Sequence, residues 1–346
     1  GLMSGGKTES NPASGSVLDT ASASPRTSPT PTVAPSLVPA KEADITGKEV
    51  IQMDGQVIVG NSGYEYYKFD QQQADNYAAA INKSTSLLPA GTTVYDLIIP
   101  GAVDVMLPLS FLNENADKTS DQGKAIQYVS KKLETSVRTV LIYDLLKAHC
   151  NEALYFSADN HWTSLAAYYA YTQWASVKGI APAALNAYEE AKVEGFSGNM
   201  YTATAHEALP STETITLYKP KSPLSLSYGD TATDLADGAV FADVADAGAM
   251  DKFKVFLGGM HNYSKITNTG KNDNSACIIV ADTNGAVLAP YIAENYQFTH
   301  VIDYRNYQGS LSALVTDTHA TDVIYCTSIV ATCAGSLVEG LQTLAK

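Results

Sequence analysis

The chain has 346 residues, 45% hydrophobic and 17% charged, with a net charge of −14, so it is long enough to bury one large core or two modest ones. An acidic body without a basic stripe excludes nucleic acid, whose phosphates demand Lys and Arg clusters, and excludes docking on anionic lipid. No apolar run approaches the roughly 20 residues that cross a bilayer.

Residues 8–40 are rich in Ser, Thr, Pro and Ala, with Ser24-Pro25, Ser28-Pro29 and Thr30-Pro31. Such a segment buries too little apolar surface to offset its ordering entropy. Residues 1–45 are therefore expected to be a disordered tether ahead of one body over 46–346. Gly1-Leu2-Met3-Ser4 has neither the basic nor the apolar part of a secretory leader. Such a start is what a removed leader leaves, so secretion is permitted. Any membrane attachment would come from an N-terminal anchor that is not present in this chain.

From residue 50 the chain alternates between strand and helix patterns. A strand is predicted over 56–60, and a helix over 71–83 with Ala74, Tyr77, Ala78 and Ile81 on one face. The run over 93–100 reads as a buried strand stopped by Pro100. A helix over 122–134 leads to a strand over 139–143, and a helix over 163–178 closes on Gly179 as its C-cap. Residues 181–250, rich in Ala, Asp, Thr and Gly, read as an irregular inserted segment. Regularity resumes at 254–259. A strand over 276–281, a helix over 285–295 and strands over 299–303 and 322–326 follow. This alternation predicts an α/β fold, a mostly parallel sheet with helices on both faces. Ligands in such sheets bind at the carboxyl ends of strands, where Asp282-Thr283 falls.

The strongest chemical signal is Asp159-Asn160-His161-Trp162, ahead of the 163–178 helix. Asp-x-His supplies an imidazole to carry a proton and a carboxylate to fix its tautomer. The same residues also suit a bland role, with Asp159 or Thr163 capping the helix. The stretch resembles the bacterial DHHW proteins, related to the alginate O-acetyltransferases of the SGNH-hydrolase superfamily. Two further blocks carry the resemblance: Leu97-Ile98-Ile99-Pro100 with Gly101 to Val105, and Ile278-Ile279-Val280-Ala281-Asp282-Thr283-Asn284-Gly285 with Val301-Ile302-Asp303-Tyr304-Arg305. Two positions depart from the family. Its paired histidines read Asn160-His161, and the place usually held by a nucleophilic serine is Thr283.

The resemblance implies an SGNH-hydrolase-like fold and an extracytoplasmic esterase or O-acyltransferase acting on a cell-wall or exopolysaccharide glycan. It places the protein outside the cell or on the bacterial surface. Its partner would be an acylated glycan or acyl donor, with no metal or nucleotide cofactor. His161 would be the general base, Asp159 its orienting acid, and Thr283 the residue in the nucleophile's place. The methyl of threonine stiffens χ1 and crowds attack, so the alternative is a catalytically inactive glycan-binding protein.

Secondary candidates surround these. Asn284 and Gly285 follow Thr283 and would offer amides to an oxyanion, as would Gly259. Arg305 suits a carboxylated sugar or acyl oxygen, or an ion pair with Asp303. Trp162 is a candidate cleft wall, and His261 follows Gly258-Gly259 closely enough to line it. Cys150, Cys277, Cys326 and Cys333 show no metal spacing and read as free thiols.

Overall fold

The structure is a computed structural model that describes Leu18, Arg26 and residues 42–346. The expected tether lies outside the described residues apart from Leu18, Arg26 and residues 42–45.

Thirteen strands run through the described residues: β1 (Val50–Met53), β2 (Gln56–Val59), β3 (Ser62–Glu65), β4 (Thr93–Ile99), β5 (Val137–Thr139), β6 (Glu189–Phe196), β7 (Glu213–Lys219), β8 (Leu224–Gly229), β9 (Ala236–Gly238), β10 (Tyr263–Asn268), β11 (Ala276–Ala281), β12 (Phe298–Asp303) and β13 (Asp322–Ser328). Eight form the central sheet, in the order β5-β4-β13-β11-β12-β10-β8-β9. From β5 to β12 every neighbour is parallel; β10, β8 and β9 continue it antiparallel.

The pleat explains the continuous apolar runs. In β11, Cys277, Ile279 and Ala281 face one core with the helices Ser164–Lys178 and Thr283–Ala293. Ile278 and Val280 face the other, with the helices Gln71–Ser86, Gln122–Lys132, Leu311–Thr318 and Gly335–Leu344. Alternation along a strand thus serves two buried faces, as a parallel sheet under helices requires. Ile278, Ile279 and Val280 are 0% exposed, and each contributes about 2 kcal/mol through burial.

Several elements differ from expectation. The strand expected over 139–143 is β5, at Val137–Thr139, and Tyr143 instead opens the helix Tyr143–Ala148. Val140 N–H still donates to the Asp96 carbonyl at 2.9 Å, but Leu141 turns outward, so the apolar run there is not all core. Regularity does not resume at 254–259: a 3-10 helix over Met250–Val255 leads into a left-handed turn at Leu257, Gly258 and Gly259. The segment 181–250 is more ordered than its composition suggests. It holds the β6–β7 ribbon and the helix Asn199–Thr204, and β8 and β9 extend the central sheet.

Arg26 is docked on the body. Its guanidinium lies 2.8 Å from Asp104 and 3.5 Å from Asp121, and its N–H donates to Asn113. Tyr143 and the Gln122 N–H share the same Asp104 oxygen.

Candidate functional site

The site is built where β11 ends. Asp282 caps the helix Thr283–Ala293: its Oδ1 accepts the Asn284 N–H at 3.0 Å, and its Oδ2 accepts the Ser328 N–H at 2.7 Å. One carboxylate thereby ties the helix start to the end of the neighbouring β13. Gly285 permits the tight join, because a Cβ there would sit 2.2 Å from that of Ala281. Thr283 becomes the first helical residue, half-buried at the carboxyl edge of the sheet.

Asp159 and His161 reach this edge from the loop before Ser164–Lys178. His161 Nδ1 lies 2.6 Å from Asp159 Oδ1, and the His161 N–H donates to the same oxygen at 2.8 Å. The other Asp159 oxygen accepts the Asn199 N–H at 2.9 Å. Burial alone would raise this carboxyl. The His161 ring and the two main-chain donors outweigh it and hold Asp159 below the usual range. The imidazole stacks on Phe253 with centroids 4.5 Å apart.

The inserted segment supports this pair. Glu213 accepts the N–H groups of Ser157 and Ala158 at 2.5 and 2.9 Å and fixes the loop that carries Asp159. Gly198 allows Asn199 its approach, since a Cβ there would meet the Ala158 carbonyl oxygen at 2.1 Å. Asn199 and Asn160 bond reciprocally, and Asn160 Nδ2 reaches Glu65 Oε1 at 3.2 Å. None of Glu65, Asn199, Glu213 or Phe253 was marked by the sequence, because each arrives from a distant element.

A cleft of about 240 Å³ opens between these elements, with Glu65, His161, Thr283, Asn284, Arg305 and Ser328 among its polar walls. Ile99, Pro100, Ile329, Val330 and Leu337 form an apolar side. Thus His161 and Thr283 share one cleft. Among the described residues no hydrogen bond joins them; the Thr283 hydroxyl accepts instead from Arg305 Nη2 at 3.2 Å. Arg305 also grips Asp303 through Nε at 2.8 Å and Nη2 at 2.9 Å. Burial would lower the guanidinium's pKa, but the Asp303 partnership raises it and keeps the charge fixed.

The oxyanion donors differ from expectation. The Asn284 N–H is held by Asp282 Oδ1, and the Gly285 N–H donates to the Asp282 carbonyl at 2.9 Å. Among the described residues the Thr283 N–H has no partner, so it is the first-turn amide left for a ligand. Asn284 lines the cleft, and its Oδ1 accepts the Trp162 N–H at 3.3 Å. Trp162 is among the cleft's lining residues, as expected, but it is 0% exposed with its indole N–H given to the Asn284 carbonyl, so it braces the wall. Gly259 and His261 are not among the cleft's lining residues. His261 stacks on Tyr228 at 3.9 Å, with Nε2 3.2 Å from the Leu257 carbonyl.

None of the four cysteines forms a disulfide among the described residues. Among the described residues no group of three or more His, Cys, Asp or Glu is placed to hold a metal ion, and no helix is long and apolar enough to cross a membrane.

A family model described as DHHW protein matches residues 31–302. A crystal structure of a DHHW family protein from Eubacterium siraeum is 24% identical, with a TM-score of 0.74 over 85% of this chain and 97% of that one. Bacillus cereus PatB1, solved with a sulfonyl adduct, is 15% identical, with a TM-score of 0.66 over 85% of this chain and 99% of that one. Both likenesses are of fold: a mostly parallel sheet flanked by helices over most of each chain. Among curated proteins none matches the chain.

Proposed function

Because this chain belongs to the DHHW protein family, we propose that it is an extracytoplasmic acyl-transfer enzyme, an esterase or O-acyltransferase acting on a glycan. The observation that carries this reading is the 2.6 Å contact between Asp159 and His161 beside a cleft that Thr283 also lines.

In this mechanism His161 Nε2 removes the Thr283 hydroxyl proton while Asp159 holds Nδ1–H and stabilises the imidazolium. Arg305 donates to a lone pair of the same oxygen, so its charge favours the developing alkoxide without competing for the proton. The oxygen attacks the acyl carbonyl, and the Thr283 N–H stabilises the oxyanion. His161 returns the proton to the departing oxygen. Water or a sugar hydroxyl, deprotonated by His161, then attacks the acyl carbonyl, and His161 returns that proton to the Thr283 oxygen as it leaves. The protein would act outside a bacterial cell or on its surface, with residues 1–45 as the tether; the Ser/Thr/Pro-rich composition supports that placement.

One observation favours a second reading, a glycan-binding protein without chemistry: the Thr283 hydroxyl is bonded to Arg305 and not to His161. Hydrolysis of p-nitrophenyl acetate separates the two. Activity in the native chain that His161→Ala removes supports the enzyme. Silence in the native chain with gain in Thr283→Ser marks a decayed site, and silence in every variant removes the catalytic reading.

A further inference from the structure

The charges around the cleft are unbalanced before any substrate arrives. Glu65 and Asp282 line it, Asp159 stands behind His161, and Asp303 stands behind Arg305. Against these four carboxylates the cleft offers one guanidinium, and both its Nε and Nη2 are already bonded to Asp303. Arg305 therefore enters the site charged but with Nε and Nη2 already committed to Asp303 and Thr283. It lacks the free fork that a sugar carboxylate would need for bidentate capture.

Glu65 is differently placed. It closes β3 at the exposed rim, and its Oε1 accepts from Asn160 Nδ2 at 3.2 Å. Among the described residues Oε2 has no partner, although the side chain faces the same cleft as His161. Burial, with Asp159, raises the Glu65 carboxyl, and the Asn160 bond and His161 oppose that shift; once ionised, its oxygen accepts strongly from a hydroxyl or ammonium. It penalises an incoming carboxylate by like-charge repulsion, most strongly at low salt.

Resting on the acyl-transfer reading above, we propose that Glu65 selects a glycan acceptor without carboxylates, a neutral or amino sugar, and rejects uronates. Its free oxygen binds a sugar hydroxyl or ammonium beside His161. Its charge repels the uronate carboxylate, while Arg305, tied to Asp303 and Thr283, has no free fork to capture it.

The test is the binding of unmodified oligosaccharides to the full chain by calorimetry, using chitotetraose, its de-N-acetylated form and a tetragalacturonate. The native chain should bind chitotetraose about tenfold or more tighter than the uronate at low salt, and the de-N-acetylated form at least as tightly as chitotetraose. Glu65→Gln keeps an acceptor for Asn160 but removes the charge. It should shrink the neutral-to-uronate ratio about fivefold, and added salt should shrink the native ratio in the same direction. A ratio cancels any uniform loss of affinity. Equal or tighter uronate binding, a ratio that Glu65→Gln leaves unchanged, or failure to bind any of the three overturns the proposal. Hydrolysis of p-nitrophenyl acetate by the same preparation reports on the chemistry separately. Activity there without charge preference removes this inference alone, and charge preference without activity removes the catalytic reading alone.

Discussion

Arg305 Nη2 donates to the Thr283 hydroxyl at 3.2 Å, so the oxygen that opens the helix after β11 is positioned by a guanidinium anchored on Asp303. A hydroxyl held this way can lose its proton toward His161 while its other lone pair stays stabilised. Arg305→Lys should lower kcat for ester hydrolysis about tenfold, because an ammonium cannot hold Asp303 bidentately and reach Thr283 together. Arg305→Ala should cost about 100-fold or more. Full activity in Arg305→Ala would show that the guanidinium has no part in the reaction.

Arg26 fills a socket in which its side chain is 7% exposed and that of Asp104 0% exposed. Burial raises the Asp104 carboxyl, and Arg26 opposes that shift. Removing one partner of such a pair leaves a buried charge without compensation. Arg26→Ala should therefore cost about 3 kcal/mol in denaturant unfolding. Adding Asp104→Asn to Arg26→Ala should restore a large part of it. An Arg26→Ala chain that unfolds like the native one would show that the ion pair contributes nothing net.

Gly198 controls the acid of the His161 pair from outside the motif. Gly198→Ala would bring its Cβ to 2.1 Å from the Ala158 carbonyl oxygen and 2.7 Å from Asp159 Cβ, so the Asn199 strut must move. Stability should fall by about 1–3 kcal/mol, and ester hydrolysis should fall more steeply than the folded fraction, measured by circular dichroism on the same sample. Loss of activity in simple proportion to unfolding would separate Gly198 from the chemistry.

Asp96 is buried in β4 of the central sheet, and burial pushes its carboxyl up to about 7, against the hydrogen bond from Tyr77. The folded chain then keeps a proton that the unfolded chain releases above its ordinary 3.8. This group's stabilisation is full below that value and is lost as pH rises through about 7. His300 acts oppositely: burial pushes it down to about 4, so its stabilisation is present above the ordinary 6.5 and is lost as pH falls. The two oppose each other across the shared range. Asp96→Asn is neutral throughout, so its stability relative to the native chain should rise by about 1.4 kcal/mol per pH unit between 3.8 and about 7. Urea titrations of both chains at several pH values read the difference; a constant difference would mean that Asp96 is ionised in the folded protein.

What the sequence alone determined is what neighbours along the chain decide. The apolar run of β11, the Gly179 stop of the helix Ser164–Lys178 and the Asp-x-His pairing all depend on residues within a few positions of one another. Periodicity and capping are local, so they can be read without coordinates. Only the tertiary structure decided which groups surround that local pair. Glu65 arrives from β3, Asn199 and Glu213 from the inserted segment, Phe253 from the 3-10 helix Met250–Val255, and Ser328 from the end of β13. The same holds for the Thr283 hydroxyl, whose partner proved to be Arg305, 22 positions later. These contacts exist because strands far apart in sequence end side by side at one sheet edge, and no local pattern records which distant ends will meet.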